Sequence, residues 1–301
     1  MEYHLPVMLD ECIEGLNIRP DGTYVDATFG GGGHSRAILE RLGPEGRLYA
    51  FDQDGDAMAN ALDDDRFVFI HENFRYMKSF LRLQGVRQVD GVLADLGVSS
   101  HQLDEGGRGF STRMEGELDL RMDRRQELTA RTLVNTADEE ELTRLLRLFG
   151  ELPNAFQMAR AIVRSRAEKE IVTTFDLREA VSHHLPRGKE NKFLAMLFQA
   201  LRIEVNGEME ALKALLVQAT EMLVPDGRLV VMSYHSLEDR LVKNYMKTGN
   251  FEGEAKKDFY GNLLAPLMVV TRKAVTAGEE ELLRNPRARS AKLRVARKIE
   301  G

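Results

Sequence analysis

The sequence predicts an α/β protein with a Rossmann-like, largely parallel sheet that is interrupted by an inserted α-helical domain. First, the stretch from Tyr24 to Ser35 leads from apolar residues into four consecutive glycines and then into a helical segment. Second, a short strand over 47–52 ends on Asp52, at about the 20-residue spacing typical of nucleotide-binding sheets. Third, strands and glycine loops give way to helical periodicity between about Leu103 and Arg202.

The glycine stretch predicts a ligand site. It reads Tyr-Val-Asp-Ala-Thr-Phe-Gly-Gly-Gly-Gly-His-Ser over 24–35. Because glycine lacks a Cβ atom, such a loop can bring backbone N–H groups close to a ligand. Asp52 stands where a carboxylate commonly accepts hydrogen bonds from ribose hydroxyls. A flexible glycine turn without a ligand is the alternative, but the agreement in spacing between Asp26, the glycines and Asp52 favours the ligand site.

The motif also distinguishes between nucleotide-like ligands. The dinucleotide pattern Gly-x-Gly-x-x-Gly fails because its third glycine position holds serine or arginine, and the P-loop pattern fails because no Gly-Lys-Ser/Thr follows. The S-adenosylmethionine loop, acidic-x-Gly-x-Gly-x-Gly, fits better. Asp26 is its acidic residue, Gly30 and Gly32 fill two glycine positions, and Thr28 stands in the first one.

The composition is that of an ordinary globular protein. The chain has 301 residues, 43% hydrophobic and 30% charged, with a net charge of −6. No apolar run approaches the roughly 18 residues of a membrane span, and no secretory signal is recognised, so we expect a cytoplasmic protein. Cys12 is the only cysteine, which excludes an internal disulfide. His183 and His184 lack companion ligands, so no metal site is predicted.

Further elements are predicted on both sides of the glycine loop. An arm over 2–9 contains His4, which we interpret as a surface histidine. Helices are predicted over 10–16, 35–42 and 55–62, and further strands over 67–71 and 89–96. Phe74 follows the third strand, where it can pack either on an adenine or in the core. Asp95 ends an apolar strand, where a carboxylate needs a functional or structural reason.

The insert and the C-terminal part carry further candidate residues. One insert helix, over 154–166, places Arg160 and Arg164 on one face, which is either solvated or contacts RNA phosphates. After the insert, a helix over 207–223 and a strand over 228–232 lead to Tyr234 and His235. Helix caps are predicted at Thr136 or Asp138, at Thr174 and at Ser236, and a further helix is predicted over 192–203. A closing strand pair is predicted over 267–273 and 291–297. The segment over 284–298 holds seven basic and no acidic residues, which makes it a candidate phosphate contact.

Several long blocks carry a family resemblance. They read Asp95-Leu-Gly-Val-Ser-Ser-His-Gln-Leu-Asp104, Arg108-Gly-Phe-Ser111, Leu118-Asp-Leu-Arg-Met-Asp123, Phe198-Gln-Ala-Leu-Arg-Ile203 with Val205-Asn206, Ser233-Tyr-His-Ser-Leu-Glu-Asp-Arg240, and Asn285-Pro-Arg-Ala-Arg-Ser290. With these blocks the chain resembles the bacterial ribosomal RNA small-subunit methyltransferase H family, also called MraW. The resemblance runs from His4 to Arg294, with one small departure at Glu72, where glycine is expected.

The resemblance implies a class I S-adenosylmethionine-dependent methyltransferase that acts on N4 of a cytidine in the decoding region of 16S rRNA. Together with the change of periodicity, we expect a methyltransferase domain over 1–102 and 203–301 and an inserted helical domain over 103–202 that recognises RNA. The implied partner is 16S rRNA within the small ribosomal subunit, without a membrane, and a homodimer is left open. The family's cofactor contacts carry over onto Gly32, Gly33, His34, Asp52, Phe74, Asp95 and Gln102.

The proton acceptor of such a reaction is a separate question. Many amino methyltransferases use an Asp/Asn-Pro-Pro-aromatic tetrad, but the corresponding place here reads Asp95-Leu-Gly-Val. We therefore assign Asp95, with help from His235, as the catalytic pair. Two rival functions remain: a methyltransferase for protein or small molecules, which the helical insert and basic segment disfavour, and a regulatory protein that only senses S-adenosylmethionine.

Overall fold

The computed structural model describes residues 6–261 and 263–300 and divides them into two compact units. The first unit contains the described residues up to Gly97 and from Glu210 onward, and the second unit is Val98–Met209. The predicted insert over 103–202 lies within this second unit, and the helix that was expected to end at Ile203 continues to Asn206. His4 lies outside the described residues.

The first part of the chain alternates helices and strands. Its helices are α1 (Leu9–Leu16), α2 (Gly33–Leu39) and α3 (Met77–Leu83), and its strands are β1 (Thr23–Asp26), β2 (Arg47–Phe51), β3 (Phe67–Ile70) and β4 (Val89–Asp95). The segment Gly55–Asn60, predicted as a helix, is a 3₁₀ helix capped by the carboxylate of Asp54, which accepts the N–H of Asp56.

The second unit is helical. Its helices are α4 (Ser100–Asp104), α5 (Ala130–Thr136), α6 (Glu139–Leu148), α7 (Ala155–Glu168), α8 (Thr174–Val181) and α9 (Glu190–Asn206). Asp138 caps α6, as predicted. The prediction that Thr174 caps α8 is wrong by one residue, because Thr173 accepts the N–H of Asp176 while the hydroxyl of Thr174 donates to the carbonyl of Met114.

The chain then completes the sheet. The remaining elements are α10 (Glu208–Met222), β5 (Leu223–Ser233), α11 (Ser236–Thr248), β6 (Leu267–Val269), α12 (Glu279–Arg284) and β7 (Lys292–Lys298). The strand order is β3-β2-β1-β4-β5-β7-β6, in which β1 to β5 are parallel and β7 is antiparallel to both of its neighbours. The predicted Rossmann-like sheet and the closing strand pair are confirmed.

Burial explains the apolar strands. Parallel strands with covered faces lose water on both sides, so they carry near-continuous apolar runs. Leu48 of β2, Leu93 of β4 and Val230 of β5 are fully buried, and the helix α1 packs on this core with Cys12 and Leu16. Within the described residues, none of the helices is both long enough and apolar enough to cross a membrane.

A buried amide holds the second unit together. Asn206, at the end of α9, accepts the N–H of Met122 at 2.7 Å and donates to the carbonyl oxygens of Leu120 and Arg202, each at 2.8 Å. Leu120 has a left-handed backbone with φ 61°, and the Asn206 amide bonds the carbonyl oxygen of this residue. Removing the amide leaves buried backbone groups without partners.

We expect Asn206→Ala to lower the free energy of unfolding by about 2–6 kcal/mol, because two buried backbone groups each lose a partner at about 1–3 kcal/mol. Denaturant unfolding followed by circular dichroism measures the change. Gln157→Ala, which removes an exposed amide from α7, is the matched control and should change stability little. Equal stability of the two variants would contradict this role for Asn206.

Candidate active site

The site lies within the first unit, at the carboxyl edge of the parallel strands. The glycine loop leaves β1 and is fixed at two points by backbone hydrogen bonds. The N–H of Ala27 donates to the carbonyl of Leu93 on β4 at 2.8 Å, and the N–H of Phe29 donates to the carbonyl of Phe51 on β2 at 2.9 Å. The loop therefore starts between the ends of β2 and β4, the two strands that flank β1, and open α/β sheets bind ligands at such strand ends.

Asp26 holds the glycine loop through hydrogen bonds to residues at both of its ends. It is 1% exposed, and its carboxylate accepts the N–H of Thr28 at 3.1 Å and the hydroxyl of Ser35 at 2.7 Å. Burial raises the pKa of Asp26 to about 6, although both hydrogen bonds favour its ionised form. The acidic position of the predicted motif therefore shapes the loop through buried contacts with its two ends.

At two glycines of the loop, a larger residue would meet neighbouring atoms too closely. Gly32 has φ +75°, and a Cβ atom there would lie 2.9 Å from the ring of Phe29. Gly33 begins α2, and a Cβ atom there would lie 2.3 Å from the ring of Pro6. A Cβ atom at Gly31 would meet no atom of the described residues within 4 Å, so among these residues the loop is open on that side.

Asp52 follows β2 and fixes the other end of the loop. Its carboxylate accepts the N–H of Gly30 at 2.7 Å and the N–H of Asp54 at 2.8 Å. Burial raises the pKa of Asp52 to about 6. Each carboxylate oxygen keeps further acceptor capacity, so ribose hydroxyls can still be bound. Asn60, which the sequence analysis did not identify, donates to the carbonyl of Gly30 at 3.1 Å.

Asp95 ends β4 and is held by two residues from other strands. Its N–H donates to the hydroxyl of Thr28 at 2.7 Å, and its carboxylate oxygen Oδ1 accepts the hydroxyl of Tyr234 at 2.7 Å. Tyr234 follows β5, the strand that pairs with β4. Burial raises the pKa of Asp95 to about 6, while nearby His34 and the hydrogen bond from Tyr234 favour the charged form.

His34 faces the other carboxylate oxygen of Asp95. Its Nε2 lies 3.2 Å from the carbonyl oxygen of Val7, which can only accept, so this nitrogen carries a hydrogen. In the neutral ring, Nδ1 then carries a lone pair, and it lies 3.9 Å from Oδ2 of Asp95.

His235 has a structural contact that the sequence did not predict. Its Nδ1 accepts the N–H of Glu238 at 3.4 Å and thereby caps α11, so the predicted cap at Ser236 is wrong. Its Nε2 lies 3.3 Å from the carboxylate of buried Glu238, whose other oxygen accepts the N–H of Tyr234 at 2.9 Å. The structure thus links His235 to Tyr234 through Glu238, and a catalytic role for His235 stays a prediction.

The two remaining predicted cofactor residues occupy different surroundings. Phe74 is half-buried directly after Asn73, whose side-chain amide donates to that of Gln53, one residue after Asp52. Gln102 belongs to the second unit, where its side-chain oxygen accepts the N–H of Ser99 at 3.0 Å in a capping box of α4. The short spacing of Ser99 and Gln102 is a capping signal that the sequence analysis overlooked.

Part of the basic segment over 284–298 is engaged in ion pairs. Lys292 and Arg294 both pair with Asp239, at 3.3 and 2.7 Å, and Arg297 pairs with Asp226. Burial opposes ionisation of Asp239, but the two cations outweigh it and lower its pKa. Lys292, Arg294 and Arg297 therefore have structural partners, and a phosphate contact by this segment stays a prediction.

The arrangement fits S-adenosylmethionine. Three carboxylates, those of Asp26, Asp52 and Asp95, line one edge of the sheet, and each has a pKa raised by burial to about 6. Such an edge attracts a cationic ligand and accepts hydrogen bonds from hydroxyl groups, and the open side of the glycine loop admits a nucleoside. The fold and this edge define a class I S-adenosylmethionine-dependent methyltransferase.

Comparisons with known proteins place the chain in a family. The model of the MraW methylase family matches residues 1–299, and the chain belongs to this family. It is 57% identical over 296 residues to the "Ribosomal RNA small subunit methyltransferase H" of Phocaeicola vulgatus, covering 98% of this chain and 97% of that one. The protein of the same name from Flavobacterium johnsoniae is 55% identical over 299 residues, covering 99% of each chain.

Solved structures give only a weak overall similarity. An rRNA methylase from Streptococcus thermophilus aligns over 97% of this chain and 94% of its own, with a TM-score of 0.43 and 12% identity.

We expect Asp52→Ala to weaken S-adenosylmethionine binding about tenfold or more, because a hydrogen bond to a charged group contributes roughly 1.5–3 kcal/mol. Asp52→Asn keeps one acceptor oxygen and should lose less. Isothermal calorimetry measures both, with Asp65→Ala as a control that removes an exposed carboxylate beyond the site. Unchanged affinity in folded Asp52→Ala would remove this residue from the site.

Proposed function

We propose that this protein methylates N4 of a cytidine in the decoding region of 16S rRNA, acting in the cytoplasm on the small ribosomal subunit. Membership of the MraW methylase family and the names of the relatives support an rRNA substrate. The observation that carries the chemistry is the Asp95 carboxylate, oriented by Tyr234 at the edge that also holds the glycine loop.

The acceptor nitrogen determines what the chain must do. The lone pair of a cytosine amino group is delocalised into the ring, so the nitrogen is a poor nucleophile. Bound S-adenosylmethionine supplies a methyl group that is already activated on a sulfonium. Asp95 accepts a hydrogen bond from the amino group, favours its tetrahedral geometry and takes up the proton that is released. Tyr234 uses only Oδ1 of the carboxylate, so acceptor capacity remains for the base.

We further propose that the second unit recognises the RNA. Arg160 and Arg164 lie four residues apart on α7, both are exposed, and neither has a bonded partner among the described residues. Phe156 lies one turn earlier on the same face and is 47% exposed. A stripe of two free guanidinium groups and an aromatic ring suits phosphates and a stacked base. Arg166, by contrast, donates to the carbonyls of Val134 and Ala137 and has a structural role.

Transfer of tritium from labelled S-adenosylmethionine tests the proposed function. Small-subunit particles whose rRNA lacks the modification should receive the label in 16S rRNA, and nuclease digestion should return it as N4-methylcytidine. Label in protein would favour the rival methyltransferase function. Label that stays on the donor would favour a sensor.

We expect Asp95→Asn to lower the single-turnover rate about 10²–10⁴-fold at saturating donor and RNA, the usual range for a general base. In the unaltered protein the rate should rise with pH through about 6, because the acceptor must be ionised and its pKa is raised to about 6. Tyr234→Phe removes a hydrogen bond that favours the ionised form, so this limb should move to higher pH while the plateau is largely kept. Near-unaltered rates in Asp95→Asn would rule out Asp95 as the acceptor.

We expect the double change Arg160→Ala and Arg164→Ala to raise the KM for RNA and to flatten its salt dependence, by about 0.7–0.9 in logarithmic slope per lost phosphate contact. Affinity for S-adenosylmethionine should not change. Arg113→Ala with Arg178→Ala, in the same unit, is the matched control for the loss of two positive charges. A wild-type salt slope in the α7 variant would exclude these arginines as phosphate contacts.

A further inference from the structure

The most exposed large apolar side chains of the described residues are neighbours. Phe259 is 98% exposed and Tyr260 is 86% exposed. The next aromatic side chain in exposure, Tyr76, is at 50%. Two adjacent rings almost fully in water, in one turn of the first unit, are unusual for a folded protein and point to a function.

The turn that presents the rings is well bonded. Leu264 donates its N–H to the carbonyl of Lys256 at 2.8 Å, and Lys257 pairs with Leu263 in an antiparallel bridge. At the tip, the carboxylate of Asp258 accepts the N–H of Tyr260 at 2.8 Å, and its carbonyl accepts the N–H of Gly261. The tip therefore presents its rings in a defined backbone conformation.

The base of this hairpin is anchored to α11. Phe251 stacks on Tyr245, with ring centroids 5.0 Å apart and an interplanar angle of 23°, and its carbonyl accepts the side-chain amide of Asn244 at 3.0 Å. The amide of Asn250 bonds the backbone of Gly253 and Glu254. Because the base is held and the tip is closed, little ordering entropy is lost when the rings bind a partner.

The charges and ring geometry indicate which partner fits. Lys256 and Lys257 are exposed beside the rings and have no bonded partner among the described residues, whereas the Asp258 carboxylate is turned to its own backbone. The rings of Phe259 and Tyr260 stand at 88° with centroids 5.7 Å apart, so their open faces point in different directions. Two bases can occupy such faces only when they are splayed apart, as in unpaired RNA.

We propose that the tip formed by Lys256, Lys257, Phe259 and Tyr260 is a stacking site for unpaired bases of the RNA substrate. This inference deepens the proposed function and rests on it for the choice of RNA. The area of the tip argues against a protein partner, because two rings offer about 300–500 Å², less than the roughly 800 Å² that each side of a stable protein interface buries. The lysines contact the flanking phosphates.

The experiment measures binding of the full chain to a fluorescent unpaired cytidine–uridine oligonucleotide and to an RNA duplex of the same length. Phe259→Ala and Tyr260→Ala should each weaken binding to the unpaired RNA by about 5- to 150-fold, the range that base–aromatic stacking covers. Duplex binding should change much less. Phe259→Tyr and Tyr260→Phe keep a ring and should bind the unpaired RNA like the unaltered protein. Phe259→Leu keeps apolar surface but loses the ring, so its affinity for the unpaired RNA should fall as in Phe259→Ala.

The matched control is Leu283→Ala, which removes another apolar side chain, 85% exposed, from the same unit. Calorimetry with S-adenosylmethionine verifies that every variant is folded and binds the donor. The inference is overturned if both alanine variants bind the unpaired RNA with unaltered affinity, or if Phe259→Leu binds like the unaltered protein. It is also overturned if the alanine variants lose a self-association that sedimentation detects in the unaltered chain while RNA affinity is kept.

The tritium assay keeps this inference separate from the proposed function. If the unaltered protein transfers label to rRNA and the alanine variants keep their RNA affinity, only the stacking site fails. If the unaltered protein transfers no label to RNA, the proposed function fails, and the oligonucleotide measurement still reports what the tip binds.

Discussion

The buried carboxylate of Asp26 is the group on which the active-site edge depends. A charge removed from water must be satisfied by hydrogen bonds, and here the donors are the N–H of Thr28 and the hydroxyl of Ser35. These two donors lie on either side of the glycines, so satisfying the charge also closes the loop. Thr28 in turn accepts the N–H of Asp95 through its hydroxyl, which joins the loop to the end of β4. The placement of the proposed proton acceptor therefore follows from the loop that is expected to hold the donor.

Much of the fold could be predicted from the sequence because its signals are local. Buried parallel strands appear as apolar runs, and helices appear as apolar residues with a 3.6-residue period. The glycine loop appears as four consecutive glycines, a sequence that is uncommon outside tight loops. The two units could be anticipated from the change of periodicity, but their limits could not. The helix predicted to end at Ile203 continues to Asn206, and it ends at Gly207, whose backbone has a positive φ.

The site was predictable only in part, since its decisive contacts join residues far apart in the chain. Asp52 and Asp95 stand at strand ends, which a pattern can reveal. The bond from Tyr234 to Asp95 spans 139 positions and depends on β4 and β5 being neighbours, so no spacing rule predicts it. Thr28 stands where the loop pattern has a glycine. Its hydroxyl accepts the N–H of Asp95, a contact that the pattern alone does not predict. Similarly, a serine followed by a glutamate suggested a cap, whereas the ring nitrogen of His235 takes that place.

The single cysteine has a practical consequence for spectroscopy. Cys12 lies fully buried beneath the sheet, and burial together with the charge of Asp95 raises the pKa of its thiol. Because thiol reagents attack the exposed thiolate, this side chain should remain unlabelled under native conditions. One cysteine introduced at an exposed position would then carry a probe alone, with no need to remove the native residue. Distances and motions of the protein bound to its substrate thus become accessible by fluorescence or spin labelling, in a background that keeps its natural core.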